Sequence, residues 1–112
     1  MGWYAFDSGK SIGSLGSESG IIVRDEEHDG CARITLERNA RNAPFTITCG
    51  VYGWMVHTRF FGVEQQAQTE FDSMSAELSK IVAKIPLKSD PDVEARSQTL
   101  CHAFSAFVGR FP

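Results

Sequence analysis

Cysteine is scarce in this chain, and its three copies, Cys31, Cys49 and Cys101, are odd in number and widely spaced. No disulfide framework is expected from such a set, and a reducing, cytoplasmic setting is. Long apolar runs are also missing. Nothing approaches the roughly 20 residues that a membrane-spanning helix needs. The opening Met1-Gly-Trp-Tyr-Ala-Phe-Asp-Ser has neither the basic start nor the apolar stretch of an export signal. Phe6 stands where a myristoylation signal wants Ser or Thr. Positive charge is in deficit: 11 Lys and Arg face 14 Asp and Glu, for a net charge of −3. That balance carries no electrostatic footprint for nucleic acid or an anionic membrane.

Motifs for chemistry are equally thin. Gly9-Lys10-Ser11 resembles the end of a phosphate loop, but Tyr4 occupies the position of its first glycine. A glycine-serine run follows it in place of a helix, so no ladder of amides is aimed at phosphate. Gly13, Gly16 and Gly20 lack the strand-turn-helix context of a dinucleotide site. His28, His57, His102 and the cysteines never fall at metal-ligand spacings. His28 sits in an acidic turn with Asp25, Glu26, Glu27 and Asp29, which reads as a solvated hairpin tip. Cys31 and His57 are the one pairing with nucleophilic potential, and a flat sheet offers such a pair no oxyanion donors. Cys101 lies on the apolar stripe of the last helical segment and reads as core, with His102 at its edge. Neither a cofactor nor a metal is expected, and an enzyme is not the favoured reading.

What is present is pattern. From Gly20 to Phe61 the chain is rich in β-branched and aromatic residues that alternate with period two. Four strands are predicted, around Gly20–Glu26, Cys31–Arg38, Phe45–Cys49 and Trp54–Phe61. Asp29-Gly30 marks a hairpin, Asn39–Pro44 a longer loop, and Gly50-Val-Tyr-Gly53 a turn or bulge. After Gly62 the period becomes 3.6. Ala67, Phe71, Met74, Leu78, Ile81, Val82 and Ile85 form one helical stripe, which Pro86 ends. Asp90-Pro91 opens a second helix with Val93, Leu100, Cys101, Phe104, Phe107 and Val108 inward and Gly109 at its close.

The fold class is therefore α+β: an antiparallel four-stranded meander with two C-terminal helices packed on one face. The 112 residues form a single domain. Residues 1–19 read as a flexible arm, 20–61 as the sheet and 63–109 as the helical layer. Alternation assigns Ala32, Ile34, Leu36, Phe45, Ile47, Cys49, Trp54, Val56 and Phe60 to the inner face. Arg24, Glu26, Arg33, Thr35, Glu37, Thr46, Thr48, Met55, His57, Arg59 and Phe61 are left on the outer face.

A polar outer face is usual for an antiparallel sheet. Here Arg, Met and aromatic residues interrupt it, the mixture enriched at interfaces. The leading expectation is a small soluble non-enzymatic protein acting through protein–protein contact, as a homodimer or with a protein partner. Its contact residues are Arg33, Thr35, Thr48, Met55, His57 and Arg59. The alternative is a small-molecule-binding domain or enzyme with a pocket between sheet and helices, to which Tyr52, Trp54, His57 and Arg59 contribute.

Overall fold

The computed structural model describes residues 2–86 and 89–112; Met1, and Leu87 and Lys88 in the connection between the helices, lie outside the described residues. In chain order the elements are β1 (Trp3–Ala5), a 3-10 turn (Phe6–Gly9), β2 (Ile21–His28), β3 (Ala32–Arg38), β4 (Phe45–Val51), β5 (Met55–Phe61), α1 (Glu64–Val82) and α2 (Val93–Arg110). The strands form one antiparallel meander in the order β1-β2-β3-β4-β5, followed by the two helices. The class is α+β as expected, with five strands in place of four.

The extra strand comes from the arm. Trp3, Tyr4 and Ala5 pair with His28, Glu27 and Glu26. The Trp3 ring stands edge-on to His28 at 5.0 Å, and its indole N–H donates to the Ser75 carbonyl at 3.0 Å. An aromatic residue with a polar handle thus ties the start of the chain to α1. The segment expected as a flexible arm makes backbone hydrogen bonds in its next stretch too. Gly13 N–H donates to the Ile22 carbonyl and Ile22 N–H to the Ser14 carbonyl, which lays residues 10–20 across the sheet.

Turn chemistry sets the register. Asp29 and Gly30 both have positive φ (48° and 70°), and Cys31 N–H closes the turn on the His28 carbonyl at 2.8 Å. Two left-handed residues match the twist of the flanking strands, which is why Asp-Gly is favoured there. At the next hairpin β4 continues through Gly50 and Val51, and the turn is Tyr52–Trp54, closed by Trp54 N–H on the Val51 carbonyl at 2.9 Å.

The core lies between the sheet and the helices. Ala32, Ile34, Leu36, Ile47, Cys49 and Val51 face Ala67, Phe71, Met74 and Leu78 of α1 and Leu100, Phe104 and Phe107 of α2. Trp54 packs on Phe104 with ring centroids 5.9 Å apart, and Phe107 on Phe111 at 4.9 Å. Six of the seven residues predicted for the α1 stripe are buried on it; the helix ends at Val82, so Ile85 lies beyond it and is half-buried, and Ser75 joins the buried face. In α2 only the second half is buried, and Cys101, expected in the core, is exposed. The apolar positions 100, 104 and 107 turn that face of the helix inward and leave 101 outside it. No described helix is long and apolar enough to cross a membrane.

Candidate functional site

Two departures from simple alternation decide what the outer face presents. In β2 the pairing runs Ile22 with Glu37 and then Arg24 with Leu36, so Val23 is an extra residue in the ladder. A bulge reverses the phase of the strand beyond it. Arg24 and Glu26, expected outside, therefore lie on the helix face. The Arg24 guanidinium reaches Gln68 at 2.9 Å and Asp72 at 3.0 Å and lies 3.9 Å from the centre of the Phe71 ring. His28 follows the same phase. It is buried against Trp3 and within 3.3 Å of Ser79 Oγ, and is no part of a solvated tip.

The second departure is in β5. Its register pairs Val51 with Met55, Cys49 with His57, Ile47 with Arg59 and Phe45 with Phe61. Residues directly opposite share a face, so Met55, His57, Arg59 and Phe61 are on the helix side. The expected assignment of this strand is inverted throughout. The cause is the turn: with β4 running to Val51 and a loop of Tyr52, Gly53 and Trp54, the phase of β5 is fixed one residue away from the anticipated one. His57 Nε2 is hydrogen-bonded to the Phe111 carbonyl, and Arg59 Nε donates to the Pro112 carbonyl at 3.1 Å. Arg59 also pairs with Glu70 at 2.7 Å. These two residues fasten the C-terminal segment to the sheet and are not on the outer face.

The outer face that remains is built from Ile22, Asp25, Glu27, Arg33, Thr35, Glu37, Thr46, Thr48, Gly50, Val56, Thr58 and Phe60. Much of it is covered. Glu37, expected in solvent, is fully buried beneath the arm, where its carboxylate accepts the Gly20 N–H at 2.9 Å and the Glu18 N–H at 3.2 Å. Gly16 crosses so close to this carboxylate that a β-carbon there would collide with it. Asp25 is buried as well. It takes two hydrogen bonds from Arg33, at 2.8 and 2.6 Å, and one from Thr35 at 3.2 Å. This pairing holds the Arg33 guanidinium above its ordinary pKa. Phe6 stacks on the same guanidinium at 3.6 Å. Glu27 receives the hydroxyls of Tyr52 at 2.9 Å and Tyr4 at 3.2 Å.

Between the arm and the sheet an open groove of about 780 Å³ remains. It is lined by Leu15 and Ser17 of the arm, by Tyr52 and Val56 of the β4–β5 hairpin, and by Arg33, Thr35, Thr48 and Gly50 of the sheet. Of the six residues expected to make contacts, Arg33, Thr35 and Thr48 are brought together here, and Met55 touches the groove while packing on the core. His57 and Arg59 are not. The space between sheet and helices, the expected position of a pocket, is occupied by the core side chains named above.

Beside the groove lies a feature that alternation concealed. β5 is the last strand of the sheet and, among the described residues, has no neighbour on its far side. Its outward residues Val56 and Phe60 are 77% and 52% exposed. Because the strand carries apolar residues on both faces, its sequence alone did not mark these two as surface. Cys31 and His57 do not meet: Cys31 is at the β2–β3 turn, and His57 lies beneath the sheet against the C-terminal residues. The buried Cys49 thiol is pushed up to about 12 by loss of solvent, so it is no nucleophile at neutral pH. Among the described residues no three His, Cys, Asp or Glu side chains converge as metal ligands.

No family model matches the chain, and neither a curated protein nor a solved structure shows significant similarity to it.

Proposed function

We propose that the protein acts through protein–protein contact, as a non-enzymatic homodimer of the cytoplasm joined along the free edge of β5. The observation that carries this reading is the edge itself. Sheet edges are usually guarded by brevity, charged side chains, Pro or a bulge. The opposite edge, β1, is only three residues long. β5 is seven residues long and regular in its register, contains neither Lys nor Pro, and has its Arg59 turned to the helix face and paired with Glu70.

Its sequence is also self-complementary. Antiparallel pairing of two copies about Thr58 sets Val56 of one against Phe60 of the other, twice, and Met55 against Phe61, twice. Cross-strand aromatic and β-branched pairs are favourable. The contact is thus moved from the sheet face, where the arm lies, to the sheet edge. The acidic side chains nearest Arg33 are already bound within the fold, which supports a contact role over acid–base chemistry. The exposed Cys101 suits a reducing compartment.

Sedimentation velocity tests the assembly. The native protein is expected at twice its 12.4 kDa chain mass, and the double variant Val56→Lys, Phe60→Lys at the single mass with unchanged circular dichroism. A native monomer at high micromolar concentration, or a folded double variant that still dimerises, refutes the edge contact.

A further inference from the structure

We infer that the groove between the N-terminal arm and the sheet is a binding site for an uncharged, elongated amphiphile: an alcohol, ester or amide on a medium-length hydrocarbon body. The groove adjoins the β5 edge and shares Val56 with it, and binding in it does not require dimer formation. Its volume, about 780 Å³, lies within the range of small-molecule sites.

The walls specify the body of the ligand. Leu15 is 70% exposed and Val56 77%, and both line the groove together with Ile22 and Trp54. Apolar side chains held this open to water gain when an apolar molecule lies against them. The charges specify that the ligand is neutral. Arg33 is the one charged side chain among the described lining residues, and its Nε and Nη2 are bound by the buried Asp25, which offsets its charge. An anion would meet a guanidinium already paired with a carboxylate, and a cation would meet no acid in the lining.

The polar end of the ligand is specified by two hydroxyls. Ser11 Oγ and Thr48 Oγ1, both on groove residues, are shielded from water and have no hydrogen-bond partner. Buried polar groups are nearly always satisfied, and a carbonyl or hydroxyl of a ligand that reaches Ser11 or Thr48 supplies the missing partner.

Nile red, an uncharged apolar dye with one carbonyl, serves as the probe in a fluorescence titration of the full chain. Saturable binding at one site per chain is expected, displaced by 1-decanol in preference to decanoate or decyltrimethylammonium. Ser17→Trp, which fills the groove from an exposed position, and Leu15→Asp, which charges its wall, are each expected to weaken binding at least tenfold. Val108→Asp, on the exposed side of α2, is expected to leave it unchanged. Non-saturable binding, equal binding by a folded Ser17→Trp variant, or preferential displacement by either charged decyl compound overturns the assignment.

Discussion

Glu37 shows how much one side chain organises. A carboxylate with no solvent exposure is costly to keep unless its oxygens are fully engaged. Here the backbone of the arm engages them, at Glu18 and Gly20, and Gly16 gives the room to approach. Glu37→Ala removes the acceptor and leaves buried N–H groups without partners. It is expected to destabilise the fold by about 3 kcal/mol, within the range for stripping a buried charged group of its hydrogen bonds. Urea denaturation measures the loss, and limited proteolysis within residues 10–20 is expected to accelerate in parallel. A variant of native stability and native protease resistance would show that the arm is held by other contacts. In the sequence Glu37 is indistinguishable from a solvated strand residue, because its partners are backbone amides 17 and 19 positions away.

At the scale of elements, β5 carries two roles on its two faces. Its helix face bears His57 and Arg59, which bind the C-terminal carbonyls, and its outer face bears Val56 and Phe60. Reversal of charge at Arg59 is therefore a test of the fold and not of the dimer contact. Arg59→Ala loses the Glu70 ion pair, the Pro112 hydrogen bond and the packing on Phe61, and is expected to lower stability by about 2 kcal/mol. Arg59→Glu is expected to cost more, since it sets a carboxylate beside Glu70. Thermal unfolding of the two variants checks the order; equal or native melting temperatures would refute the anchoring role. The α1 stripe was legible because six buried apolar positions, Ala67 to Val82, repeat at helical spacing. The phase of β5 was not, because Val56, Phe60, Met55 and Phe61 put apolar residues on both sides of a period-two pattern.

For the molecule as a whole, two groups couple stability to alkaline pH. Burial raises the Cys49 thiol from 9.0 to about 12, and burial with the Glu27 hydrogen bond raises the Tyr52 hydroxyl from 10.0 to about 12. Tyr52 is half exposed, so the larger share falls to the fully enclosed Cys49. In both cases the folded state holds the proton more tightly than the unfolded chain does. The stabilisation is complete below about pH 9 and is lost as the pH climbs toward 12. The urea midpoint is expected to be flat from pH 7 to 9 and to fall above it, with a shallower fall in the double variant Cys49→Ala, Tyr52→Phe. Parallel curves for native and variant protein would exclude these groups as the source.

The sequence by itself determined the elements and the class: the strand block, the amphipathic α1, the Asp29-Gly30 hairpin and the α+β order follow from periodicity and turn residues, which act over a few positions. It also brought Arg33, Thr35 and Thr48 to one face correctly, since β3 and β4 alternate without interruption. Tertiary structure alone decided three things. The bulge at Val23 moved Arg24 and Glu26 under the helices, and the Tyr52–Trp54 turn did the same to His57 and Arg59. The arm, through Trp3 and Glu37, became a fifth strand and the wall of a groove. Each depends on a one-residue register or on a hydrogen bond between distant segments, and neither leaves a trace in local pattern because a strand reads the same from either side until its neighbours are placed.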